Sequence, residues 1–261
     1  GDTALAVFPA GSRFLSKGKP GVDHLAFAAK NTDEAASLLI DDAKHSIGIN
    51  GMEQIQIPGE LTQGVFSRFS PMTDLRGNGT KFVERLDHIG IASNSNIIAE
   101  SIFSGKLGLP VESRQTDMEV KVSMESFTSD KYGVIYKTRP PETMGGLRVS
   151  FITIGNTELE FLENFNDQHR AEIMHGTPGN TKQDQGAITK YVDKYGPGLH
   201  HLAFKTPDIN QTLKHLEKHN FKLIDTIGRE GSRRSLIGFI HPASTGGVLI
   251  HFVEREEIID A

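Results

Sequence analysis

The sequence predicts an α+β fold assembled from repeated units, each with the order strand, helix, strand, strand, strand. Two observations predict it. Three segments share an apolar run with a histidine at the same place: VDHLAFA (residues 22–28), LDHIGIA (86–92) and LHHLAFK (199–205). Each segment is followed by a polar stretch that can begin a helix, and then by short runs that favour strands.

Each repeat has a candidate helix directly after its histidine-containing strand. In the third repeat, residues 206–208 (Thr-Pro-Asp) precede Ile209, Leu213 and Leu216, whose spacing of i, i+4 and i+7 is typical of an amphipathic helix. Residues 32–39 show a similar pattern in the first repeat. The helical pattern after residue 92 is weaker, because its apolar side is shorter and glycines follow it closely.

Strand-like runs complete each repeat, and Pro and Gly mark the joins between them. We expect these strands at 54–57, 64–69 and 80–84 in the first repeat, at 134–137, 147–154 and 157–163 in the second, and at 221–225, 235–241 and 247–254 in the third. Residues 1–8 (GDTALAVF) parallel residues 155–162 (GNTELEFL), the last strand of the second repeat. We therefore expect a longer parent protein, in which residues 1–84 form an incomplete or degenerate domain and residues 85–261 a complete one.

The composition excludes several classes of protein. A net charge of −5 over 261 residues gives none of the basic excess that nucleic-acid or anionic-membrane binding requires. No apolar run is long enough to span a bilayer. Because the chain has no cysteine, any metal ion must bind through histidine and carboxylate side chains. We expect the cytoplasm as the default location.

Four motifs, in this order, resemble the vicinal oxygen chelate superfamily, which includes glyoxalases, bleomycin resistance proteins and dioxygenases. They are LDHIGIA (86–92), GNTELEFLE (155–163), GLHHLAF (198–204) and HPASTGGVLI (241–250). Within the superfamily, residues 85–255 are most similar to the methylmalonyl-CoA epimerases. The resemblance implies that two βαβββ units pair and that their sheet wraps around a metal cleft.

The resemblance implies a metal site made by His88, Glu160, His201 and His251. The family usually has Glu at the fourth position, where this chain has a histidine. Imidazole and carboxylate ligands together suit one divalent ion of Zn, Fe, Co, Ni or Mn. Because strand side chains alternate, we expect His200 to point to the opposite face from His201.

Such a metal would act as a Lewis acid and stabilise the enolate formed when a carbon next to a carbonyl loses a proton. We therefore predict an isomerase or epimerase that acts on a small-molecule carbonyl substrate, with Glu160 and His251 as catalytic residues. A neutral histidine cannot ligate and accept a proton through one nitrogen. If His251 remains on the metal, the base is another residue, and Glu125 and Glu142 are the candidates.

Two alternatives from other classes remain open. The first is a glyoxalase-type lyase or an iron-dependent dioxygenase; the dioxygenases carry their Glu in the final strand, whereas here the acid is Glu160 and that strand carries His251. The second is a binding or resistance protein without chemistry. Residues 113–144 fit a lid or a surface hairpin equally. Arg233 and Arg234 fit a solvated loop or contact with an anionic substrate group. A homodimer is also left open.

The first repeat lacks the same set of residues. Sequence alignment of the repeats places Ala6 and Lys81 where the second domain has Glu160 and His251, and only His24 is kept. A lysine ammonium repels a cation. We therefore predict that residues 1–84 bind no metal.

Overall fold

The computed structural model describes residues 3–9, 11–15, 21–73, 80–165 and 186–256. The strands are β1 (Leu25–Ala29), β2 (Lys44–Ile47), β3 (Glu53–Ile57), β4 (Ser67–Pro71), β5 (Arg85–Ala92), β6 (Val111–Lys121), β7 (Met124–Ser129), β8 (Gly133–Thr138), β9 (Glu142–Ile154), β10 (Thr157–Phe165), β11 (Gly198–Lys205), β12 (Arg229–Glu230), β13 (Leu236–Ile240) and β14 (Leu249–Glu254). The helices are α1 (Thr32–Ser37), α2 (Asn96–Glu100), α3 (Ala187–Tyr195) and α4 (Ile209–Lys218), and a π-helical turn at Ser101–Lys106 extends α2. The predicted α+β class is confirmed.

The three repeats form two main sheets. The first repeat makes a four-stranded sheet in the order β1-β4-β3-β2, and the other two share an eight-stranded sheet in the order β12-β13-β14-β11-β5-β10-β9-β6. The first strand of each repeat pairs in parallel with the last strand of the same repeat. At the centre of the large sheet, β5 and β11 pair antiparallel and join the second repeat to the third. The expected pairing of two βαβββ units is therefore present.

Short polar side chains start three of the helices. Asn31, Ser95 and Asp208 each accept a hydrogen bond from the backbone N–H three residues later, at the start of α1, α2 and α4 respectively. Helix α1 packs on β3 and β4, α2 on β9 and β10, and α4 on β13 and β14. Each helix therefore covers strands of its own repeat, and none of these three lies over the central β5–β11 pair.

One apolar core joins the two sheets. Phe103, in the turn after α2, is fully buried. Its ring centroid lies 5.0 Å from that of Phe161 in the large sheet and 6.4 Å from that of Phe27 in the small sheet. Buried Ile55 and Ile91 belong to the same cluster. The burial of apolar surface thus holds the first repeat against the other two.

The first repeat differs from the prediction at its ends. Residues 80–84 form no strand, because the Thr80 hydroxyl accepts hydrogen bonds from the N–H groups of Phe82 and Val83 and closes a turn. The described residues 3–9 also form no strand: Val7 is 84% exposed, and no strand lies beside it to supply backbone partners. The strand that the sequence pattern missed is β2.

The second repeat contains a strand and a hairpin that the sequence pattern did not separate. Strand β6 pairs with β9 at the edge of the large sheet, whereas the predicted strand at 134–137 lies in β8, which pairs with β7 in a separate two-stranded sheet. Both faces of this β7–β8 hairpin are exposed, including 66% of Tyr136 and 58% of Phe127. Residues 113–144 therefore form an edge strand and a protruding surface hairpin.

The third repeat departs from the prediction at one place. Residues 221–225 make only an isolated bridge between Leu223 and Ile240, and the edge strand is the two-residue β12 instead. The remaining predicted strands of this repeat correspond to β13 and β14. Among the described residues, no helix combines the length and apolarity needed to cross a membrane.

Candidate metal centre

The four predicted ligands lie on four neighbouring strands at the middle of the large sheet. In spatial order they are His251 on β14, His201 on β11, His88 on β5 and Glu160 on β10. Each is only 4–5% exposed. Residues that are far apart in the chain are therefore brought together by the pairing of the two repeats.

Strand register alternates large polar side chains with very small ones. In one row across the sheet, Ala203 lies between His88 and His251; in the next row, Gly90 lies between Glu160 and His201. The small residues leave room for imidazoles from the adjacent strands to lean over them. A Cβ built on Gly90 would stand 2.0 Å from Cε1 of His201, so this position requires glycine.

The polar ends of the four side chains converge. Oε2 of Glu160 lies 3.1 Å from Nε2 of His201 and 3.4 Å from Nε2 of His88. One nitrogen from each of His88, His201 and His251 falls within a group whose members all lie within 4.8 Å of one another. The structure thus brings together all four residues that the sequence singled out.

Buried nitrogens without hydrogen bonds distinguish this cluster. Within the described part of the chain, Nε2 of His88, Nε2 of His201 and both ring nitrogens of His251 are buried and make no hydrogen bond. Burying a polar atom without a partner is costly, and a divalent cation would satisfy one nitrogen of each ring at once. Three imidazoles and one carboxylate are a donor set that fits Zn, Fe, Co, Ni or Mn.

Protonation states suit a cation as well. Burial alone would raise the pKa of Glu160, but His88 and His201 beside it lower that pKa to about 2. Burial lowers the pKa of His201, and burial together with the charges of His201 and His88 lowers the pKa of His251 well below its usual value. At neutral pH the site therefore offers an ionised carboxylate on Glu160 and neutral imidazole rings on His201 and His251.

Asp87 orients the first histidine, a role that the sequence prediction did not assign. Its Oδ2 lies 2.9 Å from Nδ1 of His88 and accepts a hydrogen bond from Nη1 of Arg255 at 2.5 Å. Burial would raise the pKa of this carboxyl, but His88 and Arg255 hold it well below its usual range. With Nδ1–H donated to Asp87, Nε2 of His88 is left as the atom that could bind a metal ion. The sequence signal that could have indicated this role is the Asp-His pair that occurs in both of the first two repeats, as Asp23-His24 and Asp87-His88.

His200 does not simply point away from the site, as strand alternation predicted. The β11–β5 register shifts between Leu199 and His201, which places a bulge at His200. Its Nδ1 then lies 3.0 Å from Nδ1 of His201, and its ring packs edge-on against Tyr191. Asp87 and His200, which precede His88 and His201 in the chain, thus each contact the Nδ1 of the following histidine.

The four side chains open onto a cavity of about 70 Å³. Phe151, Leu162 and Phe239 give it apolar walls, and Arg233 and Arg255 give it cationic ones. The two candidate bases from the sequence do not line it. Glu125 is ion-paired with Arg139 in the β7–β8 hairpin, and Glu142 is an exposed residue at the start of β9.

The first repeat carries a different charge at the matching place. Ala26 lies two residues after His24, as Gly90 lies two residues after His88. In the β1–β4 pair Ala26 lies beside Arg68, whereas Gly90 lies beside Glu160. The counterpart of Glu160 and His251 is therefore the buried Arg68, and neither Lys81 nor Ala6 occupies that register position. A guanidinium repels a cation as an ammonium does, so we still predict that residues 1–84 bind no metal.

Known proteins resemble the part of the chain that contains the cluster. A model of the Glyoxalase/Bleomycin resistance protein/Dioxygenase superfamily matches residues 87–239. The uncharacterized protein YqjC of Bacillus subtilis is 28% identical over 172 residues, which cover 66% of this chain and 93% of that protein. The mitochondrial methylmalonyl-CoA epimerase of Dictyostelium discoideum is 26% identical over 111 residues, covering 42% of this chain and 57% of the epimerase.

Solved structures give similar matches. A hypothetical protein from Bacillus halodurans superposes with a TM-score of 0.47 at 24% identity, covering 68% of this chain and 98% of that one. The methylmalonyl-CoA epimerase of Mycobacterium tuberculosis superposes with a TM-score of 0.47 at 22% identity, covering 69% and 94%. The chain spans little more than half the length of the mitochondrial epimerases that it matches in sequence.

Proposed function

This chain belongs to the glyoxalase/bleomycin resistance protein/dioxygenase superfamily, and we propose that it is a metal-dependent isomerase that epimerises a carbon next to a carbonyl group. The observation that carries the proposal is the cluster of His88, His201, His251 and Glu160. Nε2 of His88, Nε2 of His201 and both ring nitrogens of His251 are buried without hydrogen bonds around one carboxylate. Nothing in ordinary packing accounts for three such rings meeting at the join of two repeats.

In this proposal the four residues hold one divalent ion. When bound, the ion supplies Lewis acidity that favours negative charge on a carbonyl oxygen while the neighbouring carbon loses its proton. Asp87 fixes the ring of His88, and His200 contacts the ring of His201. The apolar walls at Phe151, Leu162 and Phe239 keep bulk water away from the reacting carbon.

Glu160 is the residue to which we assign proton transfer. A neutral imidazole that ligates through one nitrogen presents N–H on the other, so His251 cannot accept a proton while it binds metal. A carboxylate has two oxygens and can contact a cation through one while the other takes a proton. Since Glu125 and Glu142 lie outside the cavity, Glu160 is the base best placed among our candidates.

The sequence relatives favour an acyl thioester as the first substrate to test. Four mitochondrial methylmalonyl-CoA epimerases are 26–27% identical to this chain over 105–125 residues. Epimerisation in D₂O replaces the exchangeable α-hydrogen with deuterium, and mass spectrometry detects that change directly. Purified protein should therefore be reconstituted with Co²⁺ and incubated with methylmalonyl-CoA in D₂O. We expect one equivalent of metal per chain and metal-dependent incorporation of one deuteron.

Matched variants make the test specific. His88→Ala removes a proposed ligand, whereas His24→Ala removes the histidine at the same motif position in the first repeat. We expect the first variant to lose metal and exchange, and the second to keep both. Glu160→Gln should retain part of the metal but lose exchange. Metal binding without deuterium incorporation would favour the lyase alternative, and a protein that binds no transition metal would contradict the proposal.

A further inference from the structure

The turn between β12 and β13 separates two spaces of very different size. On one side is the 70 Å³ cavity at the histidine cluster. On the other is an open groove of about 670 Å³ that Gln115, Glu230 and Arg234 help to line. Arg233 and Ser235 line both spaces. A substrate that reaches the cluster from this groove must therefore pass Arg233.

The cavity at the cluster has only about a tenth of the volume of the groove. Only the reacting end of a substrate fits beside the cluster, and the rest must lie in the groove. The group that crosses between the two spaces meets the guanidinium of Arg233.

Arg233 is held in place by acidic and aromatic neighbours. Its Cζ lies 3.8 Å from the centroid of the Phe151 ring. Its Nη1 donates to Oε2 of Glu158 at 2.5 Å and lies 3.5 Å from Oε2 of Glu112. Nη2 lies 3.7 Å from Asp87. Carboxylates of the chain thus already pair with the guanidinium in this structure, and the Arg233 side chain is 16% exposed.

The backbone at this turn adopts an unfavourable conformation. Arg233 has φ 55° and ψ 37°, and Arg234 also has φ 55°, in the left-handed region that residues with a Cβ rarely adopt. The N–H of Arg233 donates to Oε1 of Gln115 on β6, which ties the turn to the opposite side of the groove. Residues held in such conformations concentrate at ligand clamps. At this turn the Arg233 side chain lines both the cavity and the groove.

We infer that Arg233 binds a carboxylate of the substrate at the mouth of the cavity, and so selects carbonyl compounds that carry a second, anionic carboxylate. This inference rests on the proposed function. The planar guanidinium matches a carboxylate through two parallel hydrogen bonds. Stacked on Phe151, it offers that edge without further loss of side-chain freedom. The substrate carboxylate replaces Glu158 and Glu112, whose side chains remain 15% and 40% exposed and can turn towards solvent.

The test compares two small acids on the Co²⁺-loaded protein by calorimetric titration. Malonate has one carboxylate for the cluster and a second for Arg233, whereas propionate has only one. We expect malonate to bind about tenfold or more tightly than propionate. Malonate can also chelate Co²⁺ through both carboxylates, which Arg233→Gln does not alter, so this variant should reduce the preference for malonate by about tenfold and leave propionate binding unchanged. Arg234→Gln is the matched control, because Arg234 is exposed and shares the same φ; it should keep the difference.

A third variant predicts a change in the other direction. Glu158→Gln removes the carboxylate that competes for Arg233, so it should tighten malonate binding and leave propionate binding unchanged. Equal losses in both arginine variants, or a preference for malonate that Arg233→Gln leaves undiminished, would overturn the inference. If the protein takes up no Co²⁺, the proposed function fails separately. The same malonate titrations on the metal-free protein then decide the role of Arg233, by whether Arg233→Gln weakens binding more than Arg234→Gln.

Discussion

Gly90 on β5 lies directly under the imidazole of His201 on β11, so close that a single added methyl group would occupy the space of the ring. The neighbouring position in the other row is Ala203, beside His88 and His251. The site therefore depends on the small size of Gly90 and Ala203 as much as on the four side chains that contribute polar atoms.

Replacing Gly90 with alanine should displace His201 and weaken Co²⁺ binding by about tenfold to 100-fold, the range expected when a ligand is misplaced. The new Cβ would lie within 2.4 Å of three ring atoms of His201. Titration followed by Co²⁺ absorption would measure the affinity. Gly105→Ala is a suitable control, since its Cβ would meet no atom closer than 3.9 Å. Unchanged affinity in Gly90→Ala would show that His201 is not a ligand.

Asp87→Asn should reduce metal affinity by a similar factor, about 10–100-fold. Asparagine has no negative charge, so its side-chain oxygen would be a weaker acceptor for Nδ1–H of His88 and for the guanidinium of Arg255. The comparison is with Asp23→Asn, which alters the same motif in the first repeat, where Asp23 lies 2.7 Å from His24. Equal metal affinity in the two variants would remove the orienting role of Asp87.

The metal-free protein should lose stability as the pH falls below about 6.5. His201 and His251 have folded-state pKa values below the ordinary value of 6.5, so the unfolded chain binds more protons there. Each such histidine then reduces the free energy of unfolding by up to about 1.4 kcal/mol per pH unit. Urea denaturation from pH 7.5 to 5 would measure the slope. His251→Asn should make the slope shallower, while the exposed His219→Asn should leave it unchanged.

Phe103→Ala should destabilise the fold by about 3–5 kcal/mol, the usual cost of removing a fully buried phenylalanine. Phe103 contacts Phe27 and Phe161, one from each sheet. Phe127→Ala, at a residue that is 58% exposed in the β7–β8 hairpin, should change stability by less than about 0.5 kcal/mol. Chemical denaturation of both variants checks the difference, and similar losses would mean that the two sheets are not joined through Phe103.

Removing the β7–β8 hairpin should leave the metal centre intact. Arg139 donates its N–H to the carbonyl of Ser123 at the base of the hairpin, so residues 124–138 can be replaced by an Asn-Gly turn. Co²⁺ affinity should stay within about twofold of the original. A large loss of affinity would revive the interpretation of this segment as a lid. The hairpin contributes no residue to the lining of the cavity.

The sequence singled out the four candidate site residues because each belongs to one of four motifs that occur in the expected order along the chain. It placed the helices for the same reason, since capping residues precede apolar stripes at helical spacing. It did not locate β6, which is an edge strand, or the β7–β8 hairpin, where both faces are exposed and alternation carries no information about a core. It also could not show the bulge at His200 or the small residues beside each imidazole, because these depend on register between distant strands.

Arg68 gives the first repeat a positive charge that is covalently part of the chain. At the matching position, the second and third repeats present Glu160 and His251, whose proposed partner is an ion that can exchange with the surroundings. A chelator could remove the ion's charge from between the second and third repeats, but it could not remove the charge of Arg68 from the first repeat. Chelation should therefore loosen the pairing of β5 with β11 at the centre of the large sheet. The small sheet would keep the charge of Arg68 whatever the supply of metal.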